Sequence, residues 1–396
     1  MVTSELPQAA AAAVAPALRI VHIRADRHVE LPGLPQALPA DGFLWVGCTR
    51  RAFEADPAAL QAALERWTGG QLVDLHVSDL LNRQLPSHFD YTSWYDLLVF
   101  RRLSSVVPVD SVRDAADDAV AAASPHRLPL LDTALTAENL DTSAVGFAVF
   151  DRVLLTVHPS DCRLRDFVMQ RLAQMAPAGD ARADTSRSSV RLPTSPADLM
   201  LRMVNHMVDG YLELRRRLTR QLTQLQQVLF DPYGRFDRWG DMLALRNALH
   251  LLEDTCEDQR SAMLEWLDAV DEWPPEADPA LARERELLRV RSRDVLEHIE
   301  RVVSHVRRLD ASAESAVQMH FSALGNRTNE IMRTLTVLTA IFLPMNLITG
   351  IFGMNFEVLP LLHNRICFYL AMGTMALIAT GLVIFFRRKR YLSTGR

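Results

Sequence analysis

Residues 334–356 read TLTVLTAIFLPMNLITGIFGMNF, a run of 23 residues without a charged side chain. A second uncharged run of 21 residues, ICFYLAMGTMALIATGLVIFF, occupies residues 366–386. About 20 apolar residues, each rising 1.5 Å, are enough to cross the hydrocarbon core of a bilayer. The two runs therefore predict a hairpin of two transmembrane helices.

The charges beside these runs predict how the hairpin is oriented. Residues 387–390 are Arg-Arg-Lys-Arg, and the segment between the two runs, residues 357–365, is short. Lys and Arg next to a span stay on the cytoplasmic side. We therefore expect residues 387–396 to be a basic cytoplasmic tail and residues 357–365 a periplasmic loop. Since a hairpin returns the chain to its starting side, the N-terminal part is also expected in the cytoplasm, beneath a bacterial inner membrane.

The composition argues against several classes of protein. The chain has 396 residues, of which 49% are hydrophobic, and a net charge of -5. This hydrophobic content is too high for a disordered chain, and an acidic balance argues against a nucleic-acid partner. The four cysteines form no CxxC pair, so neither a zinc knuckle nor a disulfide framework is indicated. We expect no enzyme, because G-x-S-x-G, P-loop and H-E-x-x-H motifs are absent from the sequence.

Residues 19–175 predict a cytoplasmic α/β domain. Strand-forming runs occur at residues 18–23, 43–48, 97–101 and 145–158, and helical patterns at residues 56–67 and 164–175. The last strand-forming run contains Phe150-Asp151-Arg152, which predicts a hairpin turn. The Ala-rich residues 1–18 are expected to be a disordered tail, and residues 176–194, rich in Ala, Ser, Asp and Arg, a flexible linker. The order of the strands is left open by this pattern.

Residues 195–333 predict a region of long helices that forms a stalk. Ser195 is expected to cap a helix that runs to Pro232, and a second helix is expected at residues 241–270. In the third helix, apolar residues alternate steps of four and three, as in a coiled-coil seam: Val295, Ile299, Val302, Val306 and Leu309. An uninterrupted helix over residues 280–343 would connect the cytoplasmic part mechanically to the first span.

The first span ends in Gly353-Met354-Asn355, and a short loop and the second span follow. This arrangement resembles the CorA family of divalent-cation channels, whose signature is Gly-Met-Asn at the outer end of the first of two C-terminal spans. The segment NEIMRTLT at residues 329–336 also looks like the family's entry to that span. The likeness is most specific over residues 290–396. It implies an α+β membrane protein with a cytoplasmic α/β domain, a long helical stalk and two transmembrane helices, assembled as a homopentamer.

Gly353, Met354 and Asn355 are the selectivity filter that this resemblance implies. Mg²⁺ holds its water shell tightly and loses it reluctantly. A ring of Asn carboxamides and backbone carbonyls hydrogen-bonds that shell, whereas a ring of carboxylates binds the ion more strongly and releases it more slowly. Gly353 has no side chain to keep its carbonyl from the pore axis. The alternative is that Asn355 only caps the C-terminal end of the helix.

A second set of candidate residues lies below the filter. Leu335, Thr339, Leu343 and Asn346 recur at steps of four, four and three, so they share one face of the first span. Periodicity alone leaves it open whether this face lines a pore or meets lipid or the second span. The resemblance assigns the four residues to the pore and Asn329 to its cytoplasmic mouth. Rings of Leu335 and Leu343 would then close the pore by dewetting.

The resemblance also implies regulation by cytoplasmic Mg²⁺, bound by acidic side chains at subunit interfaces. Asp294 on the stalk is the candidate ligand, and Glu297 is a second, less specific one. The alternative is that both acids lie on a solvated helix face. The partner acid in the α/β domain is left open between Asp90 and Asp96.

The outer loop leaves the transported ion open. Glu357 is present, but Leu361 stands where the family often carries a second acid, so the mouth concentrates cations less. The zinc branch of the family, ZntB, usually has a Gly-rich stretch after the Asn, which this chain lacks, and the 12 His show no paired spacing for a soft-metal site. We therefore expect passive influx of Mg²⁺, with Co²⁺ and Ni²⁺ as surrogates. The partners expected are membrane lipids, divalent cations and further copies of the chain. A Zn²⁺ transporter and a non-conducting, membrane-anchored sensor or scaffold are the alternatives.

Overall fold

The computed structural model describes residues 17–105, 136–137, 140–160, 162–175, 192–231, 236–274, 277–354 and 365–389. Most of the predicted N-terminal tail, linker and periplasmic loop lies outside these residues, as does the basic tail from residue 390 onward. Asn355 and Glu357 lie outside them too. The chain divides into two compact units, Met1–Ala313 and Glu314–Arg396.

The first unit contains a mixed sheet of seven strands. These are β1 (Leu18–Ile23), β2 (His28–Leu31), β3 (Phe43–Thr49), β4 (His88–Tyr91), β5 (Asp96–Arg101), β8 (Ala144–Val149) and β9 (Val153–His158), while the short β6 (Ser104–Ser105) and β7 (Leu140–Asp141) pair with each other. Along the sheet the order is β2-β1-β3-β9-β8-β5-β4. Only the β3–β9 pair is parallel, with Leu44 opposite Val153; the other pairs of this sheet are antiparallel.

The central strands are buried on both faces. Every residue of β3, β8 and β9 is buried, which explains why they are continuous apolar runs rather than alternating ones. The Phe150 N–H donates to the Val153 carbonyl at 2.9 Å and closes the β8–β9 hairpin. The predicted turn at Phe150-Asp151-Arg152 is thereby confirmed.

Helices cover both faces of this sheet. The helices are α1 (Arg50–Ala55), α2 (Pro57–Thr68), α3 (Asp74–Leu81), α4 (Leu164–Gln174), α5 (Pro196–Asp209), α6 (Tyr211–Leu229), α7 (Trp239–Glu272), α8 (Pro279–Phe352) and α9 (Arg365–Arg388). Phe53, Leu64 and Leu80 of α1, α2 and α3 share one apolar core with alternate residues of the strands. Helices α5 and α7 pack against the sheet as well. The predicted class is confirmed: an α/β unit, long helices and two apolar C-terminal helices.

The helix expected to run from Ser195 to Pro232 is divided at Gly210, so the prediction of one uninterrupted helix is wrong. Ser195 does cap α5, since its hydroxyl accepts from the Asp198 N–H at 3.3 Å. The Gly210 N–H still donates to the His206 carbonyl at 3.3 Å, and the backbone of Gly210 stays right-handed helical, with φ -56° and ψ -25°.

Helix α8 has 74 residues and runs from Pro279 to Phe352, so the expected stalk helix and most of the expected first span, residues 334–356, form one continuous helix. Pro344 lies inside it, so the loss of one backbone N–H does not end the helix there. The predicted seam residues from Val295 to Leu309 are buried in the first unit. There α8 is hydrogen-bonded to α7 by Trp266 Nε1, which donates to Ser292 Oγ at 2.9 Å, and to α6 by Gln226, which donates to Ser312.

The second unit contains the rest of α8 and helix α9. Among the described residues, α8 and the part of α9 from Phe368 are long and apolar enough to cross a membrane. Many of their large apolar side chains are exposed, among them Leu343, Leu347, Leu370 and Leu377. An apolar surface of this extent needs a lipid or protein partner.

Candidate functional site

The C-terminal end of α8 holds the first two residues of the predicted filter. The Gly353 N–H donates to the Thr349 carbonyl at 2.9 Å, and the Met354 N–H donates to the Ile351 carbonyl at 3.4 Å. The chain therefore leaves the helix through a tight final turn. A Cβ at residue 353 would lie 3.1 Å from the Thr349 carbonyl oxygen, so glycine fits this turn best. Met354 is exposed, and Asn355 follows directly in the chain.

The end of a helix is also an electrostatic feature. Its last carbonyls have no partner further along the helix, and they carry a partial negative charge of about half a unit. A cation is favoured at such an end. The described residues 350–354 thus place glycines and backbone oxygens, rather than carboxylates, where the filter is predicted.

The predicted pore residues are exposed along α8. Asn329, Leu335, Thr339, Leu343 and Asn346 all belong to the exposed class. The Thr339 hydroxyl donates to the Leu335 carbonyl at 2.9 Å, so its proton is used within the helix and its oxygen can still accept. At about 100° per residue, Leu335, Thr339, Leu343 and Asn346 lie within a sector of about 80°, and Asn329 lies beside it.

The face of α8 opposite these predicted pore residues is shielded from solvent. Val337 is 2% exposed, and Ala340, Ile341, Pro344 and Ile348 are partly buried. By the same helical geometry this face is about 160° from the centre of the sector defined by Leu335 to Asn346. The predicted pore residues therefore do not pack on another part of this chain within the described residues.

Asp294, the candidate regulatory acid, lies on α8 in the first unit with a second acid nearby. His298 stands between them: its Nε2 is 3.9 Å from Asp294 Oδ1, and its Nδ1 is 4.0 Å from Asp209 Oδ1. Asp209 is the last residue of α5 and was not among the residues predicted from the sequence. No signal in the sequence pointed to Asp209, because its proximity to Asp294 arises only from the packing of α5 on α8.

Glu297, the second candidate, is already paired. Arg301 Nη2 donates to Glu297 Oε1 at 2.5 Å, one turn further along α8. A carboxylate neutralised in this way competes poorly for a divalent cation. Within the described residues, no group of three or more His, Cys, Asp or Glu side chains is placed to hold a metal ion inside the chain.

The two acids considered as partners of Asp294 differ in their surroundings. Burial disfavours the charged form of Asp90, but hydrogen bonds from His76 Nε2 at 3.0 Å and the Tyr91 N–H at 2.7 Å outweigh it and lower its pKa. Burial, followed by repulsion from Asp151, raises the pKa of Asp96 to about 6. Asp90 is thus engaged by His76, whereas Asp96 lies beside a second carboxylate.

A buried ion cluster ties α5 to α8 close to Asp294. Asp198 is 2% exposed and accepts from Arg202 at 3.1 Å and from Arg291 of α8. Burial lowers the pKa of Arg202 to about 10. Two guanidinium groups around one buried carboxylate fix the start of α5 against the stalk helix one turn before Asp294.

Comparisons with known proteins agree with this arrangement. The family model described as CorA-like Mg²⁺ transporter protein matches residues 126–388, about two thirds of the chain. The cobalt/magnesium transport protein CorA of Thermotoga maritima is 33% identical over 100 residues, which are 25% of this chain and 28% of that protein. The cobalt/magnesium transport protein CorA of Methanocaldococcus jannaschii is 24% identical over 274 residues, 67% of this chain and 76% of that protein.

A solved structure shows the same fold over nearly the whole chain. The complete structure of the CorA magnesium transporter from Methanocaldococcus jannaschii covers 95% of this chain and 98% of its own, with a TM-score of 0.60 and 18% sequence identity. The described α/β unit, long helices and paired apolar helices thus occur together in a known architecture.

Proposed function

Because the chain belongs to the family of CorA-like Mg²⁺ transporter proteins, we propose that it is a membrane channel for divalent cations, with Mg²⁺ as its main substrate. Co²⁺ and Ni²⁺ are accepted as surrogates. Movement is passive, down the electrochemical gradient. A membrane potential of 100 mV supplies about 4.6 kcal/mol for a doubly charged ion.

One observation carries this proposal: the α8 face with Leu335, Thr339, Leu343 and Asn346 is exposed, opposite the face with Val337. Two spans of a single chain cannot enclose a pore, so the exposed face must meet copies of itself. We propose a homopentamer in the bacterial inner membrane with both chain ends in the cytoplasm. Each of the five copies contributes this face to the central pore.

Within that pore each predicted residue has a role set by its chemistry. Asn355 and the carbonyl of Gly353 hydrogen-bond the water shell of Mg²⁺ at the outer mouth, with Met354 between them and Glu357 attracting cations from outside. Asn346 and Thr339 offer polar rings below the filter. Leu335 and Leu343 form apolar rings that close the pore by dewetting, and Asn329 lies at the cytoplasmic mouth.

Regulation by cytoplasmic Mg²⁺ is the second part of the proposal. Asp294 and Asp209, both exposed and on either side of the His298 ring, form an acidic site on the surface of one subunit. A hydrated Mg²⁺ that bridges this site to an acid of a neighbouring copy holds the stalks together. When the ion leaves, the carboxylates repel each other, the stalks move apart, and the Leu335 and Leu343 rings widen.

Uptake into proteoliposomes tests the channel. The full-length protein is reconstituted at low internal Mg²⁺, and entry of Mg²⁺, Co²⁺ and Zn²⁺ is followed separately with an entrapped fluorescent chelator. We expect Mg²⁺ entry that is lost in Asn355→Ala. Leu343→Ala should raise the basal flux, while the matched variant Leu338→Ala, exposed but off the pore face, should leave it unchanged.

The same experiment separates the alternatives. Entry of Zn²⁺ without Mg²⁺ would assign the chain to the zinc branch. If an assembled oligomer passes none of the three ions, the sensor or scaffold function replaces the channel. Equal effects of Leu343→Ala and Leu338→Ala would remove the proposed pore face.

A further inference from the structure

A cavity of about 340 Å³ lies in the first unit, and its lining includes Asp96 but neither Asp294, Asp209 nor any residue of the proposed pore. The start of β5, the tip of the β8–β9 hairpin, the start of α5, the end of α7 and the first turns of α8 surround it. Its volume lies at the lower end of the range in which proteins bind small molecules. Its walls are mostly apolar, with Phe150, Leu281 and Leu288 among them.

The polar groups of this cavity carry an excess of negative charge. Three carboxylates, Asp96, Asp151 and Glu284, face one guanidinium, that of Arg285. Burial and the neighbouring Asp151 both raise the pKa of Asp96, to about 6, and no positive group acts in the opposite direction. Among the described residues, the side chains of Asp96 and Asp151 form no ion pair. Burial of the Asp96 carboxylate, and then its repulsion by Asp151, disfavour its charged form, and a cation beside it would reduce that cost.

Trp273, which also lines the cavity, is in contact with the cationic side chain of Arg285. Arg285 Nη1 donates to the Trp273 carbonyl at 3.2 Å, and its guanidinium carbon lies 5.7 Å from the centre of the Trp273 ring. The ring face of tryptophan attracts planar organic cations. The wall formed by Trp273 is thus already in contact with a side chain whose chemistry matches that of an organic cation.

Two other ligand classes fit the cavity poorly. An anion finds few donors at the start of α5, because Pro196 has no N–H and the Asp198 N–H is bonded to Ser195. A metal ion needs several closely spaced ligands, and no group of three His, Cys, Asp or Glu side chains in the described residues is placed to hold one. A hydrated metal ion would also leave the apolar walls unused.

We propose that this cavity binds a small organic cation, with an ammonium or amidinium group between Asp96 and Asp151 and an apolar body against Phe150 and Trp273. The charged group neutralises the two carboxylates, and the body fills the apolar part of the cavity. The bound molecule would connect the sheet to the first turns of α8.

Ligand-observed NMR titration of the full-length protein in detergent at pH 7.5 tests the proposal with three probes of one shape: benzylamine, benzyl alcohol and benzoate. We expect benzylamine to bind at least about ten-fold more tightly than the neutral and anionic probes. Asp96→Asn and Asp151→Asn should each weaken benzylamine binding by about ten-fold. Asp26→Asn, an exposed acid outside the cavity, is the matched control and should leave binding unchanged.

Leu281→Trp tests the cavity without changing any charge. Because Leu281 lies at the exposed rim, the larger side chain should fill the cavity and abolish benzylamine binding. The melting temperature of each variant shows that it is folded. Equal affinity for benzylamine and benzyl alcohol would overturn the proposal. A second result would also overturn it: the protein binds Mg²⁺ but not benzylamine, and Asp96→Asn abolishes the Mg²⁺ binding. The cavity would then be a metal site.

Discussion

The two parts of helix α8 differ although they belong to one continuous helix. In the first unit its apolar residues, from Val295 to Leu309, are buried against the same chain. In the second unit its apolar residues, such as Met319, Ile331, Met332 and Leu343, are exposed. Both parts are equally helical, so the difference lies in where the partners come from. Burial within the chain indicates a structural role, and large exposed apolar residues indicate contacts with lipid or with other copies.

The largest loss of stability is expected from removing the buried carboxylate of Asp198, which Arg291 in the first part of α8 contacts. Asp198→Ala leaves Arg202 and Arg291 around an empty site, and removing one partner of a buried ion pair costs about 3–5 kcal/mol. Thermal unfolding of the solubilised protein should therefore occur at a much lower temperature. The control is Asp166→Ala, which removes an exposed pair with Arg19 and should cost no more than about 1 kcal/mol. Equal losses would show that the Asp198 cluster does not hold α5 against the stalk.

A matched pair of isoleucines tests the comparison on α8 directly. Ile299 is 0% exposed and Ile331 is 67% exposed. Ile299→Ala removes packed methyl groups and should cost about 2–5 kcal/mol in the free energy of unfolding. Ile331→Ala should change it by no more than about 0.5 kcal/mol. Denaturant unfolding measures both, and a comparable loss for Ile331→Ala would mean that Ile331 is packed in the solubilised protein, either within the chain or against another copy.

Local features of this fold were predictable from the sequence. The uncharged runs, the Ser195 cap and the Phe150-Asp151-Arg152 turn each depend on residues close together in the chain, and the structure has the corresponding helices, cap and hairpin. The division of the helix at Gly210 was not predicted, since the apolar stripe continues across this glycine from Val208 to Tyr211. The strand order, which the sequence left open, depends on pairings between distant segments, such as Leu44 with Val153.

The candidate sites were likewise predictable only where the residues lie close together in the chain. The spacing of Leu335, Thr339 and Leu343 places them on one face by helical geometry alone. The neighbours of Asp294 and of Asp96 were not predictable. Asp209 and Asp151 reach them from other elements, 85 and 55 residues away in sequence. A sequence pattern reports which side chains share a helix face, but not which acids repel each other across two elements.

A smaller effect on stability is expected from Asp96 and its neighbour Asp151 in the first unit. The pKa of Asp96 is about 6 in the folded chain, against about 3.9 for an ordinary Asp, so the folded chain takes up a proton that the unfolded chain does not. Stability is therefore gained as the pH falls from 7 through 6 toward 4, and this gain is absent at pH 7. The melting temperature of the wild type should rise across this range relative to that of Asp96→Asn.

Asp96→Asn should also melt a few degrees higher than the wild type at pH 7.5, because it removes a buried negative charge and, with it, the repulsion by Asp151. A change of 1 kcal/mol corresponds to about 2–4 °C in a unit of this size. Asp26→Asn should keep the pH dependence of the wild type. Parallel pH profiles for the wild type and Asp96→Asn would show that this carboxyl titrates normally.

The smallest change in free energy is expected at the exposed acids of the stalk. Asp294→Ala removes one of two carboxylates that flank His298, and its side chain is too exposed to contribute much to folding. It should leave the melting temperature unchanged. Internal Mg²⁺ should inhibit the flux less, with the half-inhibiting concentration raised about three-fold, which corresponds to about 0.7 kcal/mol. Flux into proteoliposomes at a series of internal Mg²⁺ concentrations measures this shift.

Two further variants make the test specific to the proposed site. Asp209→Ala should shift the inhibition in the same direction as Asp294→Ala, because both carboxylates lie about 4 Å from the same imidazole. Glu297→Ala should shift it less, since the Glu297 carboxylate is neutralised by Arg301 and has little charge to offer an ion. If Glu297→Ala relieves inhibition as strongly as Asp294→Ala, the ion responds to the net charge of the stalk surface. Proximity to His298 and Asp209 would then not be what distinguishes Asp294 from the other acids of α8.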